Sequence, residues 1–303
     1  MILATRGSDL ALAQTREVWD MLAARFEEEL DLQRIVVKTT GDVLKDATLR
    51  EFGGKGAFVM EIDERVMAGE ADVAVHSMKD VPTKMHEDLV VAAILPRRDF
   101  TDALVSDFPL AELPRGARIG TSSVRRKALL LRARPDLTIA EIRGNVPTRI
   151  RKWRAGEYDG VVLSTAGLKR LGLDDPHEPL DPNVFIPEPG QGAIACVCKR
   201  GSRFDEFLES IDDAETRAEV TAEREVLRAL GGGCVAPVGV HATKTGEQLD
   251  VHAIVLSLDG RRAVTLRETI SAQDPEYGAD EIARKLKRMG GDVLLAEARK
   301  ALG

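Results

Sequence analysis

From the N-terminus, short apolar runs alternate with amphipathic stretches. That alternation restricts the chain to layered α/β architectures, with strands lying side by side and helices covering them. The runs at 2–5, 34–39, 72–76, 89–95, 102–106, 118–121, 138–142 and 159–163 read as strands of parallel βαβ units. Between them Leu12, Thr15, Trp19, Leu22 and Phe26 recur at helical spacing, as do Phe58, Val59, Ile62 and Val66, and both sets mark core-facing stripes. The pattern breaks twice, in LPRRDFT at 95–101 and in a Pro- and Gly-rich stretch at 174–192, as expected of a chain that leaves one domain and returns to it. Beyond these come a charged helix at 214–230, the run GGGC, strands near 235–241, 248–257 and 263–271, and closing helical patterns, an order that suggests a small α+β domain.

Charge narrows the function. The chain carries a net −7, against a general polyanion binder. Between Arg115 and Arg154, however, twelve Lys or Arg face only Asp136 and Glu141, a local +10. A set of solvated helix faces would explain any one of these cations; the cluster as a whole points to an anion site. Nucleic acid fits poorly, because Trp153 is the one aromatic in the stretch and stacking platforms need several. The opening MILATRGSDLALAQ puts Arg6 and Asp9 where an export signal needs apolar residues, and no run reaches ~18 apolar residues, so no membrane association is expected. Three sparse cysteines suit a reducing compartment, and a cytoplasmic monomer is the expectation.

Four segments could carry chemistry. HSMKDVP at 76–82 follows a strand, and ligands of open α/β sheets bind beyond the strands' carboxyl ends. There Ser77, Lys79 and Asp80 offer a hydroxyl, a cation and an acid; the bland alternative is an Asp capping a turn beside a solvated Lys. GTSSVRRKA at 120–128 presents Thr121, Ser122 and Ser123 at a helix start, with Arg125 and Arg126 as forked donors for carboxylate or phosphate, or is an N-cap followed by a basic helix face. IRGNVPTR at 142–149 repeats the arrangement with Arg143, Gly144 and Arg149, and ATRGS at 4–8 supplies Arg6 and Ser8. Lastly, GGGC at 231–234 could be a helix stop beside an inert thiol, or a loop that carries Cys234 to a ligand. Cys196 and Cys198 alternate along an apolar strand and read as structural. The five histidines show no zinc-ligand spacing, so no metal is expected, and GGKGAF at 53–58 lacks the Ser or Thr of a phosphate loop.

Taken in order and spacing, ATRGS, GGKG, VHSMKDVP, GTSSVRR, RGNV-x-TR, AGLKRLG, GQGA and GGC resemble the porphobilinogen deaminase (hydroxymethylbilane synthase) family from residue 1 to about 240. The resemblance implies an α/β fold of three domains, two like the lobes of type II periplasmic binding proteins with a cleft between, and a small C-terminal α+β domain. On this chain they would cover 1–96 with 192–212, 97–191 and 213–303. It implies a transferase that adds four porphobilinogen molecules, with loss of ammonia, to a dipyrromethane cofactor held as a thioether on Cys234, then releases a linear tetrapyrrole by hydrolysis. Asp80 would be the catalytic carboxylate. Ser77, Lys79, Thr121, Ser122, Ser123, Arg125, Arg126, Arg143 and Gly144 would hold the cofactor, while Arg6, Ser8, Arg149 and Arg170 would hold substrate. Pro147 departs from the family, which usually has Gly or Asp there; a place in a helix's first turn would make its missing N–H harmless. The rival from another class is a two-lobed anion receptor, which needs neither Asp80 nor Cys234.

Overall fold

The computed structural model describes residues 1–39, 56–231 and 236–302. The chain forms two compact units, Met1–Arg98 with Gly192–Arg217 and Asp99–Gln191 with Ala218–Gly303.

In the first unit, β1 (Ile2–Arg6), α1 (Asp9–Phe26), β2 (Gln33–Val37), α2 (Gly56–Met67), β3 (Val73–Ser77), a 3-10 turn (Met78–Asp80) and β4 (Leu89–Ile94) follow in order, and β10 (Ile194–Lys199) and α6 (Asp205–Ser210) return later. Ser8 caps α1, its hydroxyl accepting from Ala11 N at 3.3 Å. The sheet runs β2-β1-β3-β10-β4, with β1 parallel to β2 and β3, and β10 antiparallel to β3 and β4. Strands β3 and β10 are buried almost throughout because both faces are covered. Val18 and Leu22 of α1 pack on one face with Phe204 and Leu208. Ile62 and Val66 of α2 pack on the other. Cys196 and Cys198 lie in this buried strand; burial pushes both thiols up, Cys198 to about 12, as befits structural residues.

The second unit holds β5 (Asp102–Val105), β6 (Arg118–Gly120), α3 (Val124–Ala133), β7 (Thr138–Ala140), α4 (Val146–Arg154), β8 (Gly160–Ser164), α5 (Thr165–Arg170) and β9 (His177–Pro179). Its sheet, β7-β6-β8-β5-β9, repeats the first: β6 is parallel to β7 and β8, and β5 is antiparallel to β8 and β9. Three parallel strands, one reversed strand and an outer fifth are the topology of a type II periplasmic-binding-protein lobe. The purely parallel reading of the strand pattern is corrected here. Strands β5 and β10 each follow directly on a crossing from the other unit, so their direction is set by the crossing and not by a preceding helix.

The C-terminal region has its own core. An antiparallel meander, β11 (Val238–Thr245), β12 (Gln248–Leu256) and β13 (Ala263–Ser271), packs against α7 (Ala214–Ala229), α8 (Pro275–Leu286) and α9 (Asp292–Leu302) through Val226, Val240, Val251, Ile282, Leu286 and Leu295. Strand β11 starts after Pro237, which has no N–H to give the ladder, and runs on to the turn at Gly246, where the register pairs Thr245 with Gln248. The expected strand at 235–241 is shifted accordingly; Val235 lies outside the described residues.

This region is joined to the second lobe by shared core and by close backbone approach. Ile254 and Leu256 of β12 lie in one cluster with Ile119, Leu129 and Leu130. A Cβ on Gly239 would come within 2.5 Å of Ile186 O, and one on Gly260 within 2.1 Å of Ala128 O. Glu223, fully buried on α7, accepts from Gly190 N at 2.7 Å and from Ala242 N at 2.9 Å. His241 stacks on Phe100 with ring centroids 3.8 Å apart. Gly239→Ala should therefore lower stability by about 1–3 kcal/mol, read as a drop in the urea midpoint. An unchanged midpoint would show that the approach of residue 239 to Ile186 matters little.

Candidate functional site

Each unit contributes its own set of polar groups. In the first, β3 delivers HSMKDVP to the strand's carboxyl end, where the backbone tightens into the 3-10 turn, Met78 N bonding Ala193 O at 3.0 Å and Val81 N bonding Met78 O at 3.2 Å. His76 is buried and held at 2.8 Å from Asp63, which removes it from the exposed chemistry. Ser77 Oγ exchanges hydrogen bonds with the Gln14 amide, 2.8 Å from its nitrogen and 3.1 Å from its oxygen. Lys79 and Asp80 are partly exposed, and Asp80 has no hydrogen bond or ion pair among the described residues. Arg6 ends β1, and Ser8 is spent on capping α1.

In the second unit the polar groups converge on Asp102, fully buried at the start of β5. Arg125 Nη1 donates to Asp102 Oδ2 at 2.7 Å and to Ile186 O at 2.9 Å. Arg126 Nε donates to Asp102 Oδ1 at 2.9 Å, its Nη1 to Val162 O at 3.0 Å and its Nη2 to Gln191 Oε1 at 3.3 Å. Gln191 Nε2 completes the network, donating to Asp102 Oδ1 at 2.9 Å and to Phe100 O at 2.8 Å. Burial alone would raise the Asp102 carboxyl, but the two guanidinium charges hold it far below the ordinary carboxylate range. Arg125 Nε and Nη2 are buried with no hydrogen-bond partner among the described residues.

The hydroxyls at the start of α3 are committed locally. Ser123 caps the helix and accepts from Arg126 N at 3.4 Å, Thr121 Oγ1 accepts from Ser123 N at 3.2 Å, and Ser122 Oγ donates to Ile142 O at 2.5 Å. Helix α4 is capped by Asn145, whose Oδ1 accepts from Thr148 N at 3.0 Å, and Pro147 lies in its first turn, where no intrahelical acceptor is available for an N–H. Arg143 Nε reaches Glu141 at 3.2 Å, Arg149 Nε donates to Gly144 O at 2.8 Å, and Arg170 closes α5, partly exposed. Burial of the Arg149 guanidinium, with the like charge of Arg126 second, lowers its pKa to about 10. Arg149 is thus a cation pushed down by burial and by Arg126, while Arg125, which feels the charges of Asp102 and Glu188, keeps two buried N–H donors without acceptors among the described residues.

The +10 stretch is not one patch. Arg134 ties Asp136 to the carbonyls of Leu110 and Leu113, Arg154 pairs with Asp175, and Arg118 lies over the Tyr158 ring. Asp102, Gln191 and Gln14 were not legible as site residues; the one sequence signal for Asp102 is an acid opening an otherwise apolar strand. Cys234 and GGKG at 53–56 fall at least in part outside the described residues. Next to Cys234's run, Gly231 ends the helix with φ +66 and its carbonyl takes Arg299 Nη2 at 2.6 Å.

A family model described as porphobilinogen deaminase, dipyromethane cofactor binding domain, matches residues 1–205, and one described as porphobilinogen deaminase, C-terminal domain, matches 217–288. The chain belongs to the porphobilinogen deaminase family. A probable porphobilinogen deaminase of Methanocella arvoryzae is 47% identical over 304 residues, covering 100% of this chain and 99% of that protein. A porphobilinogen deaminase of Roseiflexus castenholzii is 45% identical, covering 98% of each. Among solved structures, an ABC transporter periplasmic substrate-binding protein from Coxiella burnetii matches 70% of this chain and 89% of its own at 14% identity and a TM-score of 0.42. Among the described residues no helix is long and apolar enough to cross a membrane.

The depressed Arg149 pKa fixes a sign. The folded value lies below the unfolded one, so the charged guanidinium costs stability at neutral pH, and the cost stays whole up to about pH 10 and is relieved only as pH rises from there toward the ordinary arginine value. Arg149→Met should therefore stabilise the chain at pH 7, by about 1 kcal/mol and read as a higher melting temperature, and the gain should begin to shrink only above about pH 10. A variant that melts lower at pH 7 would show that the bond to Gly144 outweighs the buried charge.

Proposed function

We propose that this chain is a transferase that joins four porphobilinogen molecules into the linear tetrapyrrole hydroxymethylbilane, on a dipyrromethane primer carried by Cys234, and releases the product by hydrolysis. The observation that carries the reading is the pair Arg125 and Arg126 held on one buried carboxylate, with Arg149 near enough to Arg126 to feel its charge, in a region matched by the cofactor-binding family model. Each pyrrole unit bears two carboxylates, and guanidinium forks are suited to receive them. The residues present fit such a group: Arg125 holds buried N–H donors with no partner, and the surrounding donors are cations and hydroxyls.

When bound, the dipyrromethane supplies a free pyrrole α-carbon to which the next unit is joined. Ser77, Lys79, Thr121, Ser122, Ser123, Arg125, Arg126, Arg143 and Gly144 would hold it, and Arg6, Ser8, Arg149 and Arg170 would take the carboxylates of the incoming porphobilinogen. Asp80 has the qualities of a catalytic carboxylate, being partly exposed, on a tight 3-10 turn and without a hydrogen bond or ion pair among the described residues. Its negative charge would pair with the aminomethyl ammonium and stabilise the positive charge that grows as the C–N bond breaks and ammonia leaves. It would then accept the proton lost from the ring carbon once the C–C bond has formed. The thioether needs a reduced Cys234, which supports a cytoplasmic enzyme, and we assign it as a monomer. Its working parts would be domains at 1–96 with 192–212, 97–191 and 213–303.

The reading expects Asp80→Ala to retain the two-ring adduct on the protein while porphobilinogen consumption falls by roughly 10²–10⁴-fold. Wild-type turnover in that variant would remove Asp80 from the mechanism; loss of activity together with loss of the adduct would make its role one of primer assembly.

A further inference from the structure

Both crossings between the units end at one buried carboxylate. Asp102 is the first residue of β5, reached directly from the outward crossing, and Gln191 lies on the return, just before β10. Neither residue belongs to the set that would touch ligand, yet together they decide what the two arginines can do.

The decision follows from a count of donors. A guanidinium has five N–H groups in a fixed fork. Arg126 spends its Nε on Asp102, its Nη1 on Val162 O and its Nη2 on Asp102 and Gln191, so it is held from three sides. Arg125 spends only Nη1, on Asp102 and Ile186 O, and its Nε and Nη2 have no partner. Nε and Nη2 form one edge of the planar group, the edge that matches both oxygens of a carboxylate. We propose that Asp102 and Gln191 are positioning residues for carboxylate recognition: they lock Arg126 as a fixed support and turn Arg125 so that its Nε/Nη2 edge is the one left to receive a pyrrole carboxylate. The inference rests on the deaminase reading given above and divides labour between two adjacent arginines that the sequence presents as equivalents.

Simple electrostatics and positioning predict opposite signs. Asp102→Asn removes a negative charge beside the arginines. If Asp102 only moderates their charge, the carboxylated two-ring primer should be taken up more readily; if it positions them, the primer should be taken up less readily despite the added positive charge. Gln191→Leu removes two donated hydrogen bonds and one acceptor at constant charge and so keeps the test open should Asp102→Asn fail to fold. Both variants are compared with the wild type for the porphobilinogen concentration at which half of the chains gain the two-ring adduct, read by intact mass, with circular dichroism as the check of folding. The expected result is a half-loading concentration raised about tenfold or more in each folded variant. An unchanged or lowered half-loading concentration in folded Gln191→Leu, beside an active wild type, overturns the inference alone. A wild type that does not turn porphobilinogen over overturns the deaminase reading and the inference with it.

Discussion

A carboxylate without access to solvent, Asp102, holds two guanidiniums where the chain enters its second lobe, and much of that lobe is arranged around it. Losing one partner of such a pair leaves a buried charge uncompensated, at a cost of about 3–5 kcal/mol. Hence the start of β5, the first turn of α3 and the amide of Gln191 are fixed together. Asp102 answers both guanidiniums and Glu188 adds its charge at Arg125, yet two N–H groups of Arg125 keep no acceptor among the described residues. A carboxylated ligand would answer both these N–H groups and the depressed Arg149 pKa.

Stability and function pull in different directions at this place. The depressed pKa of Arg149 sets its charge against the stability of the fold, and a second acid beside Asp102 would neutralise the pair. Losing the Arg149 charge or adding such an acid would take positive charge away from this part of the lobe. Around this strained centre the scaffold is conventional. Two lobes share one strand order, each with central strands buried on both faces, and the C-terminal meander is seated on the second lobe by contacts at Gly239 and Gly260 that allow no side chain.

Local pattern made much of this legible. Apolar alternation located β1, β3, β4, β6, β8 and β12 to within a residue or two, and Ser123 before the VRRKA run marked a helix cap. The sequence left the place of Pro147 open, and the structure puts it in a first turn, where proline's missing N–H is spare. What failed depended on partners distant in the chain. The reversed direction of β5 and β10 is imposed by the crossings, and Asp102 finds Arg125 and Gln191 at separations of 23 and 89 residues. Charge counting treated the basic stretch as a single anion site because it cannot see that Arg134 and Arg154 already have acids and carbonyls of their own. Asp80 stood out for the opposite reason: its placement after β3 follows from a strand end and a tight turn, both local features.

That the protein works on a covalent two-ring primer is tested most directly by the intact mass of the purified chain beside that of Cys234→Ser, each before and after incubation with porphobilinogen. The expected result is an excess equal to two porphobilinogen units less two ammonias, present in the wild type and absent from Cys234→Ser. A wild-type chain that carries no such excess and gains none on incubation would contradict the covalent primer and leave a two-lobed carboxylate receptor as the better description of the molecule.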